Sequence, residues 1–217
     1  MSTQQSLLVL GATGQTGRHF TRLALADGRR VRALARNPGK LGIAHDELEV
    51  VQGSITEPLD LDRLLDGVDA VVAMLGDVVA QRERQVNTEF VRALVPAMRR
   101  NGTRRFLYQA GGLSAAPGTR LALPLRLVRS TVARGYIGQH QDNEAVMRYL
   151  TDEATDLEWM VHRAGIGSDG PSKGTLRRSR RWISIATFVD CAAYSLRMLD
   201  DDGAVHSCDG SAYARGR

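Results

Sequence analysis

The sequence predicts an α/β fold built on one doubly wound parallel sheet, and three observations lead to that prediction. Short apolar runs alternate along the chain with stretches whose apolar residues recur at helical spacing. Three glycines spaced three apart, in GATGQTG at 11–17, follow the first apolar run. The 217 residues, 43% of them hydrophobic, suffice for a single domain with a full core over 1–217.

Each predicted strand is a short apolar run, and each predicted helix carries apolar residues three and four apart. The first strand, at 7–10, precedes a helix with Phe20, Leu23 and Ala24 on one face, which closes near Gly28. Strands alternating with helices form parallel sheets with right-handed crossovers. The further predicted strands are 31–35, 49–53, 68–76, 105–109 and 159–162, and the further helices are 59–65, 83–100, 140–150 and 185–193.

The formal net charge of +5 is carried by arginines spread over the whole chain, and the two lysines are Lys40 and Lys173. The one local cluster, at 177–181, lacks the interleaved aromatic residues of a single-strand binding platform. We interpret this cluster as a solvated loop or as a contact to a phosphorylated small ligand. No nucleic-acid partner is expected.

The small number of cysteines and the lack of long apolar stretches argue against a disulfide-rich, metal-binding or membrane-spanning protein. Cys191 and Cys208 are too few for a disulfide framework and lack metal-ligand spacing, so no metal site is predicted. No stretch is long and apolar enough to cross a bilayer, and the polar first residues do not resemble a secretory leader. We expect a cytoplasmic protein with no membrane partner.

The glycines of GATGQTG each have a separate physical role in a strand–turn–helix unit. Gly11 lets the chain turn sharply off the strand, Gly14 lets a pyrophosphate approach the backbone, and Gly17 lets the helix pack closely on the sheet. The free N–H groups at the start of the helix then face the phosphates. Because the glycines follow an apolar strand and open a helix, the pattern predicts a bound dinucleotide.

The end of the second strand indicates which dinucleotide is bound. A carboxylate at that place would accept hydrogen bonds from the adenosine ribose and repel a 2′-phosphate. The sequence has Arg36 there instead, which can stack on adenine and pair with a 2′-phosphate, and Lys40 could add a point charge. The sequence therefore favours NADP(H) over NAD(H).

Several segments resemble those of the atypical short-chain dehydrogenase/reductases, in particular the NAD(P)H-binding group of NmrA-like proteins and flavin/biliverdin reductase B. These are GATGQTGR, ALARNP, VVQGSI, DAVVAMLG, GTRRFLYQAGG and DLEWMVHRAGI, in family order over about 6–210. The resemblance implies a Rossmann fold that binds the cofactor at the ends of its first strands. By that likeness the pyrophosphate is lined by Thr13, Gln15, Thr16 and Gly17, the 2′-phosphate by Arg36, the adenine by Gly53, Ser54 and Ile55, and the inner ribose by Ala73, Met74, Leu75 and Gly76. Ser54 stands where the family often has Asp.

The chain departs from the family in its proton-donating residues. Short-chain dehydrogenases commonly use a Tyr-x-x-x-Lys pair, and no tyrosine here has a lysine four residues later. The closest substitute is Tyr136 with His140, which would lie on one helical face, with Glu144 as a partner for the imidazole. The hydroxyl residue after the fifth strand is also missing, and Ser114 is its candidate replacement. His140, Tyr136 and Ser114 are therefore the candidate catalytic residues.

Two segments, about 111–138 and 165–182, are predicted to form the substrate or lid regions. The connection at 114–138 is expected to be irregular and to cover the carboxyl edge of the sheet. Its leucines suit a hydrophobic acceptor, although they could equally pack a short amphipathic helix on the domain or on a partner subunit.

The function predicted from the sequence is hydride transfer from NADPH to a small conjugated or aromatic acceptor such as a flavin, a quinone or a biosynthetic intermediate. Such acceptors can take their proton from solvent, so loss of the tyrosine–lysine pair does not exclude reduction. Two alternatives remain open: a non-catalytic redox sensor, and an isomerase or cyclase that uses the same fold without net redox. The chain is expected to act as a monomer or homodimer.

Overall fold

The computed structural model describes residues 4–180 and 182–214. Its strands pair in two sheets, whose members are β1 (Ser6–Leu10), β2 (Arg30–Ala35), β3 (Leu48–Gln52), β4 (Ala70–Ala73), β5 (Arg105–Gly111), β6 (Glu158–Ala164), β7 (Ile166–Ser168), β8 (Leu176–Ser179), β9 (Ala186–Thr187) and β10 (Ser207–Tyr213). The large sheet has eight strands in the order β3-β2-β1-β4-β5-β6-β10-β8, and β7 pairs with β9 separately. All pairs in the large sheet are parallel except β10 with β8.

Helices cover both faces of the large sheet. They are α1 (Gln15–Ala26), α2 (Leu61–Leu65), α3 (Ala80–Glu83), α4 (Val86–Asn101), α5 (Leu123–Ser130), α6 (Ile137–Glu153) and α7 (Phe188–Leu199). Successive side chains of a strand point to opposite faces. Leu7 and Val9 of β1 accordingly belong to the cluster that holds Phe20 of α1, whereas Leu8 belongs to the cluster that holds Leu94 of α4. The predicted doubly wound α/β fold is confirmed.

The carboxyl ends of β1, β2 and β4 meet at one edge of the sheet. Leu10, at the end of β1, lies opposite Leu34 of β2 and Ala73 of β4. From β1 the chain continues to β2 and β3 on one side and then returns to β4 on the other side of β1, so the strand order reverses at β1. A crevice opens at such a switch point, outside the carboxyl ends of the strands.

Two parts of the chain differ from the sequence prediction. The segment 114–138 is not irregular throughout: α5 and a 3-10 turn at Arg134–Tyr136 form within it. Leucines at Leu123 and Leu127 stay exposed on α5 because that helix buries none of its residues against the domain. The edge strand β8 and its neighbour β10 were not predicted, and β10 was missed because Ser207–Tyr213 is rich in small and polar residues. Of the arginine cluster, Arg177 and Arg178 lie on β8, and Arg181 falls outside the described residues.

Over 4–180 and 182–214, no helix is both long and apolar enough to cross a membrane. In the same ranges no group of three His, Cys, Asp or Glu side chains could hold a metal ion. Both cysteines are free thiols, and burial raises the pKa of each, Cys191 and Cys208, to about 12. A thiol with so high a pKa stays protonated at neutral pH and is a poor nucleophile.

Candidate functional site

A crevice of about 140 Å³ lies at the switch point of the sheet. Its walls come from the turn after β1, the ends of β2 and β3, the chain after β4 and the start of α4. Most of the residues that the sequence assigned to the cofactor lie there. The lining includes Gly11, Thr13, Gly14, Arg36, Ser54, Ile55, Met74, Leu75 and Gly76, together with Asp77 and Asn87.

The glycines of the first turn are required by their surroundings. Gly11 has φ +82°, and a Cβ there would lie 2.3 Å from the carbonyl oxygen of Met74. A Cβ on Gly17 would lie 2.1 Å from the carbonyl oxygen of Gly11. At Gly14 a Cβ would meet only the Gly11 oxygen, at 3.1 Å, so a side chain there would project into the crevice instead of into protein. Gly11 and Gly17 thus shape the turn, and Gly14 keeps the approach to it open.

The N-terminus of α1 is prepared for an anion. Its N-cap residue is Gly14, no side chain caps the first turn, and the first turn contains no acidic residue. Gln15 and Thr16 are the first two residues of the helix. Uncapped N–H groups and the positive end of the helix dipole bind phosphate groups at such a position.

Two buried acceptors at this edge of the sheet lack hydrogen-bond partners among the described residues. One is Asn87 Oδ1, at the start of α4 in the crevice wall, and the other is Gln109 Oε1 on β5. The amide of Gln109 donates instead from Nε2 to Thr16 Oγ1 at 3.4 Å. A buried acceptor without a donor is costly unless a ligand supplies one. Ribose hydroxyl and carboxamide N–H groups are such donors, so these residues, with the glycine turn, fit a nicotinamide dinucleotide.

Arg36 stands at the mouth of the crevice, at the end of β2, with its side chain 71% exposed. Its Nη1 lies 3.1 Å from Oδ2 of Asp77, which follows β4. The second oxygen of Asp77 accepts from the N–H of Ala80 at the start of α3. An exposed ion pair of this kind contributes little to stability, so the guanidinium can be transferred to another anion at small cost.

Ser54 and Ile55 form the far wall of the crevice, after β3. Ser54 is buried, and its hydroxyl shares a hydrogen bond with Thr56 Oγ1 at 2.8 Å. The serine hydroxyl is therefore engaged within its own turn. This arrangement offers a cofactor the aliphatic surface of Ile55 and the backbone of the turn.

Ser114 and His140 come together beside the end of β5. Both side chains are buried, and Ser114 Oγ lies 3.4 Å from His140 Nδ1. Arg163 of β6 holds the loop of Ser114, because its Nε donates to the carbonyl oxygen of Ser114 at 2.8 Å. Burial, reinforced by the positive charge of Arg129 and opposed by Glu144, lowers the pKa of His140 to about 4. The imidazole is thus neutral at physiological pH.

Tyr136 and Glu144 are placed differently from the sequence expectation. Tyr136 directly precedes α6, its side chain is half-exposed, and its hydroxyl has no hydrogen bond to any described residue. Glu144 accepts from the N–H of Ala115 at 2.7 Å and from the guanidinium of Arg129. The carboxylate is therefore engaged by these two donors, and no hydrogen bond joins it to His140 within the described chain. The structure brings Ser114 to His140 but leaves Tyr136 at the surface.

The sequence analysis missed Asn87, Tyr108 and Asn143, which extend this site inward. Asn87 Nδ2 donates to Tyr108 Oη at 2.9 Å, and Tyr108 Oη donates to Asn143 Oδ1 at 2.6 Å. Tyr108 is fully buried, and burial raises the pKa of its phenol. For Asn87 and Asn143 the available signal was a polar residue at a helix position where the spacing of apolar residues predicts a buried face.

A buried carboxylate fixes the start of α4 and with it Asn87. Asp142, on α6, accepts from the backbone N–H groups of Asn87 and Thr88 at 3.0 Å each. It also accepts from the Thr88 hydroxyl and from Gln81 Nε2. Asp142 thus caps α4 from another helix, which satisfies N–H groups that the helix itself cannot pair. This cap ties α6, which carries His140, to the crevice wall that carries Asn87.

A second, larger groove of about 450 Å³ lies between α5 and α6. Its lining combines arginines with apolar and small polar residues. Ile137 and Glu144 line it from α6, about one turn of helix before and one turn after the buried His140. The full lining is Ala115, Thr119, Arg120, Leu121, Arg126, Arg129, Ser130, Ile137 and Glu144.

Comparison with curated proteins finds relatives named as reductases and dehydrogenases. A (4-alkanoyl-5-oxo-2,5-dihydrofuran-3-yl)methyl phosphate reductase of Streptomyces griseus is 42% identical over 80 residues, which are 37% of this chain and 28% of that protein. A 3 beta-hydroxysteroid dehydrogenase/Delta 5-->4-isomerase of Mycobacterium tuberculosis is 32% identical over 127 residues, 54% of this chain and 34% of that protein. The matched regions thus span about a third of the relatives' own length.

Solved structures share the fold over nearly the whole chain. An anaerobillin reductase from Escherichia coli superposes with a TM-score of 0.72 at 16% identity, covering 95% of this chain and 96% of that one. The model of the NAD(P)H-binding family matches residues 11–184, from the first glycine of the turn to the loop before β9. The chain therefore belongs to the NAD(P)H-binding family, with the atypical short-chain dehydrogenase/reductases among its relatives.

Proposed function

We propose that the protein is an NADPH-dependent reductase that transfers hydride to a small conjugated or aromatic acceptor. The observation that carries the proposal is the arrangement of two groups along one edge of the sheet. Arg36 lines the crevice at the end of β2, where the adenosine of a cofactor would bind, and the buried, neutral His140 lies with Ser114 beside β5. The first group suits a phosphorylated dinucleotide, and the second suits a polar atom of a reacting molecule.

The preference for NADPH over NADH rests on Arg36. Its guanidinium can bind a 2′-phosphate in a bidentate manner, and Lys40 lies in the 3-10 turn that follows at Pro38–Lys40. Asp77 opposes this preference, since its carboxylate repels a phosphate and competes for Arg36. A phosphate dianion carries more charge than the carboxylate, so we expect Arg36 to change partner when NADPH binds.

The chain's own residues bind and orient the cofactor and acceptor. The glycine turn and the N-terminus of α1 would hold the pyrophosphate, and Asn87 and Gln109 would accept from cofactor N–H or O–H groups. The reduced nicotinamide, when bound, supplies the hydride. His140 and Ser114 offer a hydrogen-bonding pair that is shielded from water and held in place by the loop contact to Arg163.

Two features support a conjugated, partly apolar acceptor: the sequence has no tyrosine–lysine pair, and a groove lies between α5 and α6. A conjugated acceptor takes its proton from solvent, so it needs no tyrosine–lysine pair. The groove between α5 and α6 is partly apolar and carries Arg120 and Arg126, which suits a hydrophobic acceptor with an acidic group. The Streptomyces relative is named for an oxo-dihydrofuran that bears a phosphate. We assign 111–138 and 165–182 as the segments that contact the acceptor.

The test is acceptor-dependent oxidation of NADPH by the purified full chain. Flavins, quinones and conjugated enones, each with and without a carboxylate or phosphate, are supplied with NADPH, and the loss of reduced-nicotinamide absorbance is followed together with the mass of the product. A product heavier by two hydrogens supports the proposal.

Two other outcomes would replace it. Tight NADPH binding with no oxidation by any acceptor would indicate a redox sensor. A product of unchanged mass would indicate an isomerase or cyclase. The protein is proposed to act in the cytoplasm on a small molecule, which fractionation of the native host would test. It is proposed to act as a monomer or homodimer, which light scattering would test.

A further inference from the structure

A chain of hydrogen bonds links the cofactor crevice to His140 through the interior of the domain. It runs from Asn87 through Tyr108 and Asn143 to Ser114 and ends at His140. The successive distances are 2.9 Å, 2.6 Å, 3.4 Å and 3.4 Å. All five side chains are buried.

The orientations of the two asparagine amides in the structure give the chain a direction. Because the amide of Asn87 donates to Tyr108 Oη, the tyrosine hydrogen is directed to Asn143 Oδ1. Asn143 must then present its other amide atom, the donor Nδ2, to Ser114 Oγ. Ser114 accepts that bond, so its own hydrogen is free to be donated to Nδ1 of His140.

This direction favours one tautomer of His140, because the Ser114 hydrogen, which the chain leaves unused, faces Nδ1. A nitrogen that accepts a hydrogen bond has no hydrogen of its own, and a neutral imidazole has a single N–H. With Nδ1 as acceptor, the hydrogen lies on Nε2. The pKa of His140, lowered to about 4 mainly by burial, keeps the ring neutral at physiological pH.

Both ends of the chain carry a buried atom without a partner among the described residues. At the crevice end the atom is Asn87 Oδ1, an acceptor. At the other end it is His140 Nε2, which is a donor in the tautomer derived above. Unpaired buried polar atoms are rare and costly in folded proteins. The acceptor Asn87 Oδ1 suits a ligand hydroxyl on the cofactor side, and the donor His140 Nε2 suits a ligand oxygen on the acceptor side.

We propose that Asn87, Tyr108 and Asn143 are positioning residues that hold His140 as its Nε2–H tautomer, and that His140 donates from Nε2 to a carbonyl oxygen of the acceptor. This inference rests on the proposed function. When hydride from NADPH adds to the far carbon of a C=C–C=O group, the C–H bond of the reduced nicotinamide breaks and a new C–H bond forms on the acceptor. The C=C π pair shifts to the neighbouring C–C bond, and the C=O π pair moves onto the oxygen. The Nε2–H group stabilises that oxygen, and a proton from water adds to the neighbouring carbon. His140 itself gains and loses no proton.

The first test reads the tautomer directly and needs neither cofactor nor acceptor. Ring nitrogens of the full chain, labelled with nitrogen-15, are observed by NMR, and the His140 signals are identified by their loss in His140→Gln. We expect a protonated Nε2 and an unprotonated Nδ1. Protonation at Nδ1 in the wild-type protein would overturn the proposal.

A variant of nearly unchanged shape reverses the direction of the chain. In Asn143→Asp the carboxylate only accepts, so it takes the hydrogens of both Tyr108 and Ser114, and Nδ1 of His140 must become a donor. We expect its proton on Nδ1, or on both nitrogens. An unchanged spectrum from a folded variant would refute the role of Asn143. If Asn143→Asp does not fold, Ser114→Ala serves instead and is expected to give a mixture of tautomers.

The second test compares two variants of equal size at His140. Gln keeps an amide donor near the position of Nε2, whereas Met has none. With an acceptor that the wild type reduces, we expect His140→Met to lower kcat roughly 10²-fold, and His140→Gln to lower it less than tenfold, with unchanged NADPH affinity. Equal rates for the two variants would overturn the role of Nε2–H. If the wild type reduces no acceptor, the proposed function fails, and the NMR result still decides the positioning role.

Discussion

Replacing Arg36 by Ala is expected to weaken NADPH binding while leaving NADH binding unchanged. A hydrogen bond between a charged donor and a charged acceptor is worth about 1.5–3 kcal/mol. Binding of the 2′-phosphate also breaks the exposed pair with Asp77, which is worth about 0–1 kcal/mol. The net contribution is therefore about 0.5–3 kcal/mol, which corresponds to a loss of affinity of about two- to 160-fold.

Calorimetric titration of the wild type and the variant with NADPH and with NADH measures this directly. Arg22→Ala is the matched control, because it removes the same charge from an exposed position on α1 that does not line the crevice. We expect that control to bind both cofactors as the wild type does. Equal weakening of NADPH and NADH in Arg36→Ala, or no weakening of either, would refute the assignment of Arg36 to the 2′-phosphate.

Three further predictions follow from single contacts. Asp77→Asn keeps a side chain that can cap α3 but removes the charge that pairs with Arg36. In the same titration, NADPH should therefore bind to this variant about two- to fivefold more tightly than to the wild type. Weaker binding would contradict the competition between Asp77 and the 2′-phosphate for Arg36. Burial lowers the pKa of His162 to about 3, so as the pH falls this histidine is protonated in the unfolded chain before it is protonated in the folded one. This residue alone should therefore reduce the free energy of unfolding by about 2 kcal/mol between pH 6.5 and about pH 5. Urea unfolding across that range should show a shallower loss in His162→Gln, and an equal loss would count against this titration. Gly138→Ala would place a Cβ 2.0 Å from a backbone carbonyl oxygen of α3, so we expect it to destabilise the protein by about 1–3 kcal/mol. Gly135→Ala should not change the stability, because the nearest atom to its Cβ would be 4.0 Å away. Thermal melts in which Gly135→Ala is the less stable variant would contradict the packing of α6 on α3.

The sequence by itself determined the fold class, the family and the glycine turn after the first strand. These depend on local patterns, namely the alternation of apolar runs with helical spacing and the glycines at 11, 14 and 17. Most of the residues predicted for the cofactor line one crevice because parallel strands all end at the same edge of the sheet. Their contacts with a dinucleotide remain predictions.

Only the tertiary structure decided the partners of the site residues. Asp77 meets Arg36 from 41 positions away, and Asn143 connects Tyr108 with Ser114 across 35 and 29 positions. No local spacing encodes such pairs, because they depend on which strands and helices become neighbours in the sheet order. The same reason explains why Tyr136 and His140, four residues apart, lie in different surroundings: one precedes α6 at the surface, and the other is enclosed by packing that the helix acquires only within the fold.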